Sequence, residues 1–368
     1  MRLVNIISDY FAVTDPRFSL ALFAEMAVIA LLFLILKRLK PKWITIGNFI
    51  LFVVLVRCLL FWNQYSWGWY YQQLTVDDVG WRQQSAINVE YRKFFKYPGK
   101  KYLAVGSSQT YSLYHAYSQK HHDITVFNLA GMTPIDFYLY RDYIKARNPE
   151  FILLFLSEFD LSKEPSLTGA KIAPSQGLDF LRKFPVYWQI SKLAHTQLAL
   201  KEMAVGELFP EYKYSFVFKG LLQKFMKKNE SLKIRSLYEG LHPDSEKLKK
   251  EASGTLNDIN EDGLKYQVYF LREFLEYCKV NSLKVVIVEG QYNPLVRSET
   301  TERLNDLTFI EMYKLARMYD NVQFISKSES MPLREADFDD SVHVKPETAQ
   351  RFVEDLLRKV SSLDFGQR

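Results

Sequence analysis

Tyr102-Leu103-Ala104-Val105-Gly106-Ser107-Ser108-Gln109 decides how the rest of the chain is read. Four consecutive apolar residues suit a strand covered on both faces. The Gly-Ser-Ser that follows is turn chemistry at its end. Outward from this point, strand and helix patterns alternate. Residues 124–129 form a second apolar strand, running into Ala130-Gly131. Residues 135–146 have apolar positions at helical spacing, and Phe151-Ile152-Leu153-Leu154-Phe155-Leu156 is continuously apolar. Residues 266–280 read as an amphipathic helix and 283–288 as a buried strand closed by Glu289-Gly290-Gln291-Tyr292-Asn293-Pro294. A helix at 304–318, a strand at 322–325 and a helix at 346–360 complete the series, with Pro346 suited to a first helical turn. This alternation implies an α/β fold: a parallel sheet covered by helices on both sides, with its site in the loops at the C-terminal strand ends. Residues 165–260 break the rhythm. Their helical stretches at 178–205 and 216–228 carry no convincing buried strand, so they read as an insertion, a lid or a partner surface.

Before the sheet comes a different chemistry. Residues 18–36 are almost wholly apolar, and residues 43–62 nearly so. About 20 helical residues cross the roughly 30 Å hydrocarbon layer of a bilayer. The expected arrangement is a transmembrane helical hairpin within a membrane anchor at residues 1–72, then a polar stalk at 73–98 and a catalytic domain at 99–368. Lys37, Arg38, Lys40 and Lys42 lie between the spans. A basic connector favours the cytoplasm, which places the bulk of the chain outside it, at the plasma (inner) membrane. The first run starts late and no small-residue cleavage site follows, so it reads as an anchor and not a cleavable leader. Each span has one ionisable residue, Glu25 and Arg57. These either reach the headgroups or face another membrane protein. Trp62, Tyr65, Trp67, Trp69, Tyr70 and Tyr71 read as an interfacial aromatic belt.

Composition adds bounds. The formal net charge of +6 is mild, and no Lys/Arg block interleaves with aromatics on a recognisable module, so nucleic acid is not an expected partner. Aromatic residues make up 15% of the chain, which suits a large core, a membrane interface or a sugar-binding surface. Cys58 and Cys278 have no partner at zinc-ligand spacing, and His115, His121 and His122 match no common zinc pattern. No metal and no cofactor is expected.

The chemistry-bearing residues are Ser108, after the first strand, and Asp340-Ser341-Val342-His343, before the last helix. In a doubly wound sheet those loops lie on one edge, where their side chains can meet. A serine hydroxyl needs a base to become a nucleophile. His343 can serve near neutral pH, imidazole having a reference pKa of about 6.5. Asp340 can hold its tautomer and stabilise the imidazolium, with Asp339 as the alternative orienter. Backbone N–H groups at Ser108 and Gly131 can bind an oxyanion. The set points to acyl transfer.

Gly106-Ser107-Ser108, Asn128-x-x-Gly131 and Asp340-x-x-His343, in this order on an α/β pattern, resemble the SGNH/GDSL hydrolase superfamily. The membrane-tethered branch is closest, including DltD-like proteins of teichoic-acid D-alanylation and alginate O-acetylation proteins. The likeness covers residues 100–360, leaving 165–260 unmatched. It implies a three-layer flavodoxin-like fold, a Ser–Asp–His site and work beside a polytopic membrane-bound O-acyltransferase. The implied activity is that of an extracytoplasmic acyl esterase or O-acyltransferase acting on a cell-surface glycan or lipid-linked glycan. The superfamily's third block carries an Asn that donates to the oxyanion. Here Leu156-Ser157-Glu158-Phe159-Asp160 stands in its place. An ionised Glu158 cannot donate, so either another donor such as Gln109 or Asn293 serves, or turnover is slow, or the site is not catalytic. Two rival expectations remain: a non-catalytic scaffold of a polysaccharide-modifying membrane complex, and a lysophospholipase or thioesterase acting on an acyl lipid.

Overall fold

The computed structural model describes residues 31, 34, 41–61, 63–93, 95, 99–163, 188, 209–226 and 259–365. In chain order these form helices α1 (Pro41–Phe61), α2 (Gln64–Gln73), α3 (Val76–Val79) and α4 (Trp81–Arg92). Then follow β1 (Tyr102–Gly106), α5 (Ser108–Ser118), β2 (Ile124–Asn128), α6 (Pro134–Leu139), α7 (Arg141–Ala146), β3 (Phe151–Leu156) and α8 (Glu158–Leu161). Within the insertion lie α9 (Pro210–Lys213) and α10 (Ser215–Met226). The chain ends with α11 (Glu261–Val280), β4 (Lys284–Glu289), α12 (Glu299–Met318), β5 (Val322–Ile325) and α13 (Pro346–Ser361).

The chain divides into two compact units: residues 1–96 with 174–232, and residues 97–173 with 233–368. The second unit holds the sheet. All five strands are parallel, in the order β2-β1-β3-β4-β5, which is compatible with a flavodoxin-like arrangement. The apolar runs 102–105 and 151–156 are buried along their whole length, because alternate residues point to opposite faces and both faces are covered. Ala104, Leu153, Phe155, Val286 and Val288 pack with Leu113 and Tyr114 of α5 and with Phe352, Val353 and Leu356 of α13. α6 packs on α11, where Phe137 meets Phe274 with ring centroids 5.8 Å apart. Helix starts are built as the sequence suggests. Asn260 accepts the N–H of Gly263 at 2.7 Å, Ser298 and Thr301 cap one another, and Pro134 and Pro346 occupy first turns.

β1 has β2 on one side and β3 on the other. The loops after β1 and β3 therefore leave the sheet beside each other, at the point where strand order reverses. Gly106 closes β1. A Cβ there would stand 2.1 Å from the Thr110 hydroxyl, so only glycine lets α5 turn back so tightly.

The first unit departs from the sequence expectations in three ways. Among the described residues no single helix is long and apolar enough to cross a membrane. Residues 46–61 and 64–73 pass that test only together, bent by 53°. The bend falls where Asn63 caps α2, its side chain accepting the N–H of Tyr65 at 2.9 Å. A two-helix transmembrane hairpin is thus not what the described residues form. The expected span 18–36 lies outside them, apart from Leu31 and Leu34, as does Glu25. Second, the expected stalk contains α3 and α4. Third, the expected aromatic belt is divided: Trp67 and Tyr70 are buried with Phe61 and Tyr214, while Tyr65, Trp69 and Tyr71 stay exposed. The Trp67 indole donates to the carbonyl of Phe61 at 2.7 Å, which meets the polar demand of a buried indole. Part of the insertion completes this core: Tyr214 and Val217 belong to it, and Gly220 lies against Val79 and Leu74.

Arg57 donates through Nη2 to Glu211 Oε2 at 2.9 Å and through Nε to Oε1, and its guanidinium lies 5.7 Å from the Phe209 ring centre. A partner of this α1 charge is therefore a residue of the same chain, from the insertion. The helical stretch expected at 178–205 falls outside the described residues except Trp188, and the one at 216–228 is α10 up to Met226.

Candidate active site

Ser107 and Ser108 sit on the turn from β1 into α5 and differ in access. Ser107, the N-cap, is buried, and its hydroxyl lies toward Asp160. Ser108, the first helical residue, is half-buried between two buried neighbours. Its N–H is one of the four that an α-helix leaves without an internal acceptor, at the positive end of the helix dipole. The more accessible hydroxyl is thus the one expected to act.

The loop after β5 supplies the other partners. Asp340 Oδ2 stands 2.6 Å from His343 Nδ1. Asp340 Oδ1 accepts the N–H groups of Val342 and His343 at 2.8 and 2.7 Å. Burial alone would raise the Asp340 pKa. The bond to His343, its charge and the two backbone donors outweigh that and hold it below the ordinary carboxylate value. An ionised Asp340 fixes Nδ1 as the protonated nitrogen and leaves Nε2 with its lone pair. Nε2 is buried and has no hydrogen-bond partner among the described residues, Ser108 included. Asp339, the alternative orienter, instead donates its backbone N–H to the His343 carbonyl at 2.8 Å, and its Oδ2 is buried without a partner.

A direct tie joins the histidine loop to the serine helix. The N–H of Val344 donates to Ser112 Oγ at 3.4 Å, and Ser112 Oγ donates to the Gln109 carbonyl at 2.9 Å. Val344 follows His343, and Ser112 stands one helical turn beyond Ser108 on the same face. This contact brings the two loops to one end of α5.

The expected oxyanion donors fare differently. Gly131, at φ 68°, turns the loop after β2, the strand next to β1, through a conformation that glycine adopts readily. Asn293 is engaged elsewhere. Its Nδ2 donates to the Asp340 carbonyl at 3.1 Å, its Oδ1 accepts from Leu295, and its backbone N–H donates to Ser341 at 3.0 Å. In this structure it braces the Asp340 loop and is not the free donor that its sequence position suggested. Gln109 is buried, and its Oε1 accepts from Ser157 Oγ at 3.3 Å.

The third loop is anchored below the serine turn. Asp160 Oδ2 accepts from the backbone N–H and the hydroxyl of Ser157, each at 3.0 Å. Burial raises the Asp160 pKa, against these donors and the Ser107 hydroxyl. Gly290 allows the close crossing of the β3 and β4 ends, since a Cβ there would lie 2.8 Å from the Ser157 nitrogen. Glu158 is 1% exposed, and neither carboxyl oxygen has a hydrogen-bond partner of good geometry, although the Tyr292 phenol lies beside it. Burial pushes its pKa up to about 7, against the opposing charge of Lys327 and the hydroxyl of Tyr292. Near neutral pH a large share of Glu158 is therefore a neutral acid, which can donate where a carboxylate cannot.

Braces that leave no local sequence pattern hold the edge around these groups. Gln291 donates to Ser330 Oγ at 3.0 Å and to the Met331 carbonyl at 2.9 Å, and accepts from Leu333 at 2.9 Å. Glu289 Oε2 accepts the Lys327 N–H at 2.7 Å. A polar cleft of about 310 Å³ opens beside this loop, lined by Tyr292, Arg297, Asn305, Asp306 and Lys327 among others. Its wall residue Tyr292 packs in one apolar cluster with Val342, the neighbour of His343. Compared with known proteins, the sequence matches no family model and no curated protein.

Proposed function

We propose that the chain is an SGNH-like serine acyl esterase or O-acyltransferase, anchored at the plasma membrane, with its sheet domain outside the cytoplasm. One observation carries the reading. The Asp340–His343 pair leaves a buried, unpartnered Nε2 on a loop tied by Val344 to the helix that Ser108 begins. Such a nitrogen is costly to bury without a partner; the Ser108 hydroxyl makes no hydrogen bond to it here, and the proposed reaction has the two close that gap once substrate is bound.

In the proposed reaction Ser108 Oγ attacks the acyl carbonyl as His343 Nε2 takes its proton. Asp340 keeps Nδ1–H in place and stabilises the imidazolium. The negative oxygen is met by the N–H of Ser108, at the head of α5, and that of Gly131. Collapse expels the alcohol of the donor, which takes the proton from His343. Water or a sugar hydroxyl then attacks the acyl-serine, with His343 again the base. The proposed acceptor is a glycan or lipid-linked glycan, and the proposed partner a polytopic membrane-bound O-acyltransferase. The concentration of exposed large apolar side chains in the first unit, such as Phe49, Phe52, Leu59, Trp69 and Phe225, supports the membrane setting.

A fluorophosphonate probe tests the chemistry. We expect covalent labelling of the purified chain that Ser108→Ala and His343→Ala abolish and Ser107→Ala spares. Equal labelling of Ser108→Ala would sink the reading.

A further inference from the structure

The insertion has a surface that neither the sheet nor the proposed reaction uses. α10 is a twelve-residue helix with two apolar faces. The inner face, Val217 and Gly220, packs against Val79 and Leu74. The outer face carries Leu222, Phe225 and Met226, which are 61, 65 and 77% exposed, and Phe218, 38% exposed, whose inner edge meets the Phe61 ring at 5.7 Å between centroids. Positions 218, 222 and 225 follow the i, i+4, i+7 spacing of a single stripe, and at about 100° per residue Met226 extends it. Lys219 falls at the margin of that stripe, with Gln223 beyond it, and both are exposed. Lys227 and Lys228 follow directly in the sequence. Phe209 and Tyr212, just before the helix, are exposed as well.

We propose that α10 is an interfacial membrane helix, seated with its Phe218–Leu222–Phe225–Met226 stripe at the acyl boundary of an anionic bilayer and with Lys219 at the phosphates, Lys224 being turned inward to the Gln73 carbonyl. A helix lying in that plane needs an apolar face, basic residues at its border and aromatic neighbours, and all three are present. Lys219 at the border, with the basic Lys227-Lys228 next in the sequence, favours lipid over protein. Protein–protein interfaces are depleted in Lys, whereas anionic headgroups attract it at about 1 kcal/mol per residue. The apolar side chains exposed on α1, in the same unit, are of a kind with this face. The inference rests on the membrane setting proposed above and adds a second contact with the bilayer, built by residues far along the chain from the N-terminal anchor.

Nitroxide labels on single cysteines test it in the full chain, reconstituted into nanodiscs of phosphatidylcholine and phosphatidylglycerol. Cys58 and Cys278, both buried, are replaced by alanine. At Leu222→Cys and Phe225→Cys we expect dissolved oxygen to collide more often than a nickel chelate, with the order reversed at Gln223→Cys. Lys219→Glu is expected to lose that contrast in the anionic discs. Frequent chelate collisions at 222 and 225 would mean a solvated face and would overturn the proposal. Protection from both reagents would mean a protein cover and would overturn it equally. Phe52→Cys on α1 separates the two layers of argument. A lipid signature at 52 with a solvated 222 removes α10 alone, whereas water at both positions removes the membrane setting itself.

Discussion

Burial brings Glu158 into the neutral pH range. Its folded pKa of about 7 stands above the ordinary 4.5, so between those values the folded protein holds a proton that the unfolded chain has released. The associated stability is fully present below about 4.5 and is lost as pH rises through about 7, a penalty on the order of 3 kcal/mol at alkaline pH. Glu158→Gln keeps the shape and cannot ionise. We expect its melting temperature to exceed that of the parent at pH 8 and to converge with it near pH 4.5. An equal gap at every pH would mean that Glu158 does not ionise on unfolding as described. The two neighbouring aspartates make a second test at this scale. Asp340 touches the imidazole and Asp339 does not. Asp340→Asn should lower the rate of Ser108 acylation by about 10⁴, the loss seen when such an orienter is replaced. Asp339→Asn should change it far less, and both should keep the far-ultraviolet circular dichroism of the parent.

Among the elements, the turn from β1 to α5 carries the heaviest constraint. A methyl at Gly106 would meet Thr110 Oγ1 at 2.1 Å and Thr110 Cβ at 3.1 Å, so α5 would have to shift, carrying Ser108 with it. We expect Gly106→Ala to destabilise the chain by about 1–3 kcal/mol, the usual cost of overpacking, and to slow probe labelling. Adding Thr110→Ala should restore part of both, as measured by denaturant midpoint and labelling rate; no recovery would place the strain elsewhere. What the sequence disclosed follows the same physics. Residues 102–105 and 151–156 were legible as strands because burial on both faces forbids polar residues, and the Asp-x-x-His was legible because its partners are three residues apart. The buttress role of Asn293 was not legible, since its contacts to Asp340 and Ser341 span more than forty positions and leave no local pattern. Nor was the helical fold of 76–92, whose support comes in part from distant Tyr214 and Val217.

At the scale of the whole molecule, one chain builds two cores by interruption: α9 and α10, from the middle of the chain, complete the N-terminal core and not the sheet. Such a return is invisible to local periodicity, which reads the insertion as an appendage of the sheet. It also makes the two cores separable by mutation. Gly220 is the point of closest approach in the first core, where a Cβ would stand 2.4 Å from Val79 Cγ1 and 3.1 Å from Leu74 Cδ2. Gly220→Leu forces α10 away from α3 within the first core. We expect limited proteolysis in detergent to cut the variant within residues 174–232 sooner than the parent, because exposed and unpacked backbone is where nicking concentrates. Labelling of Ser108 should persist at the parental rate, since β1, α5 and the Asp340–His343 loop all belong to the other core. Loss of labelling together with loss of protease resistance would instead make the two cores one cooperative system, whose stability the active site shares.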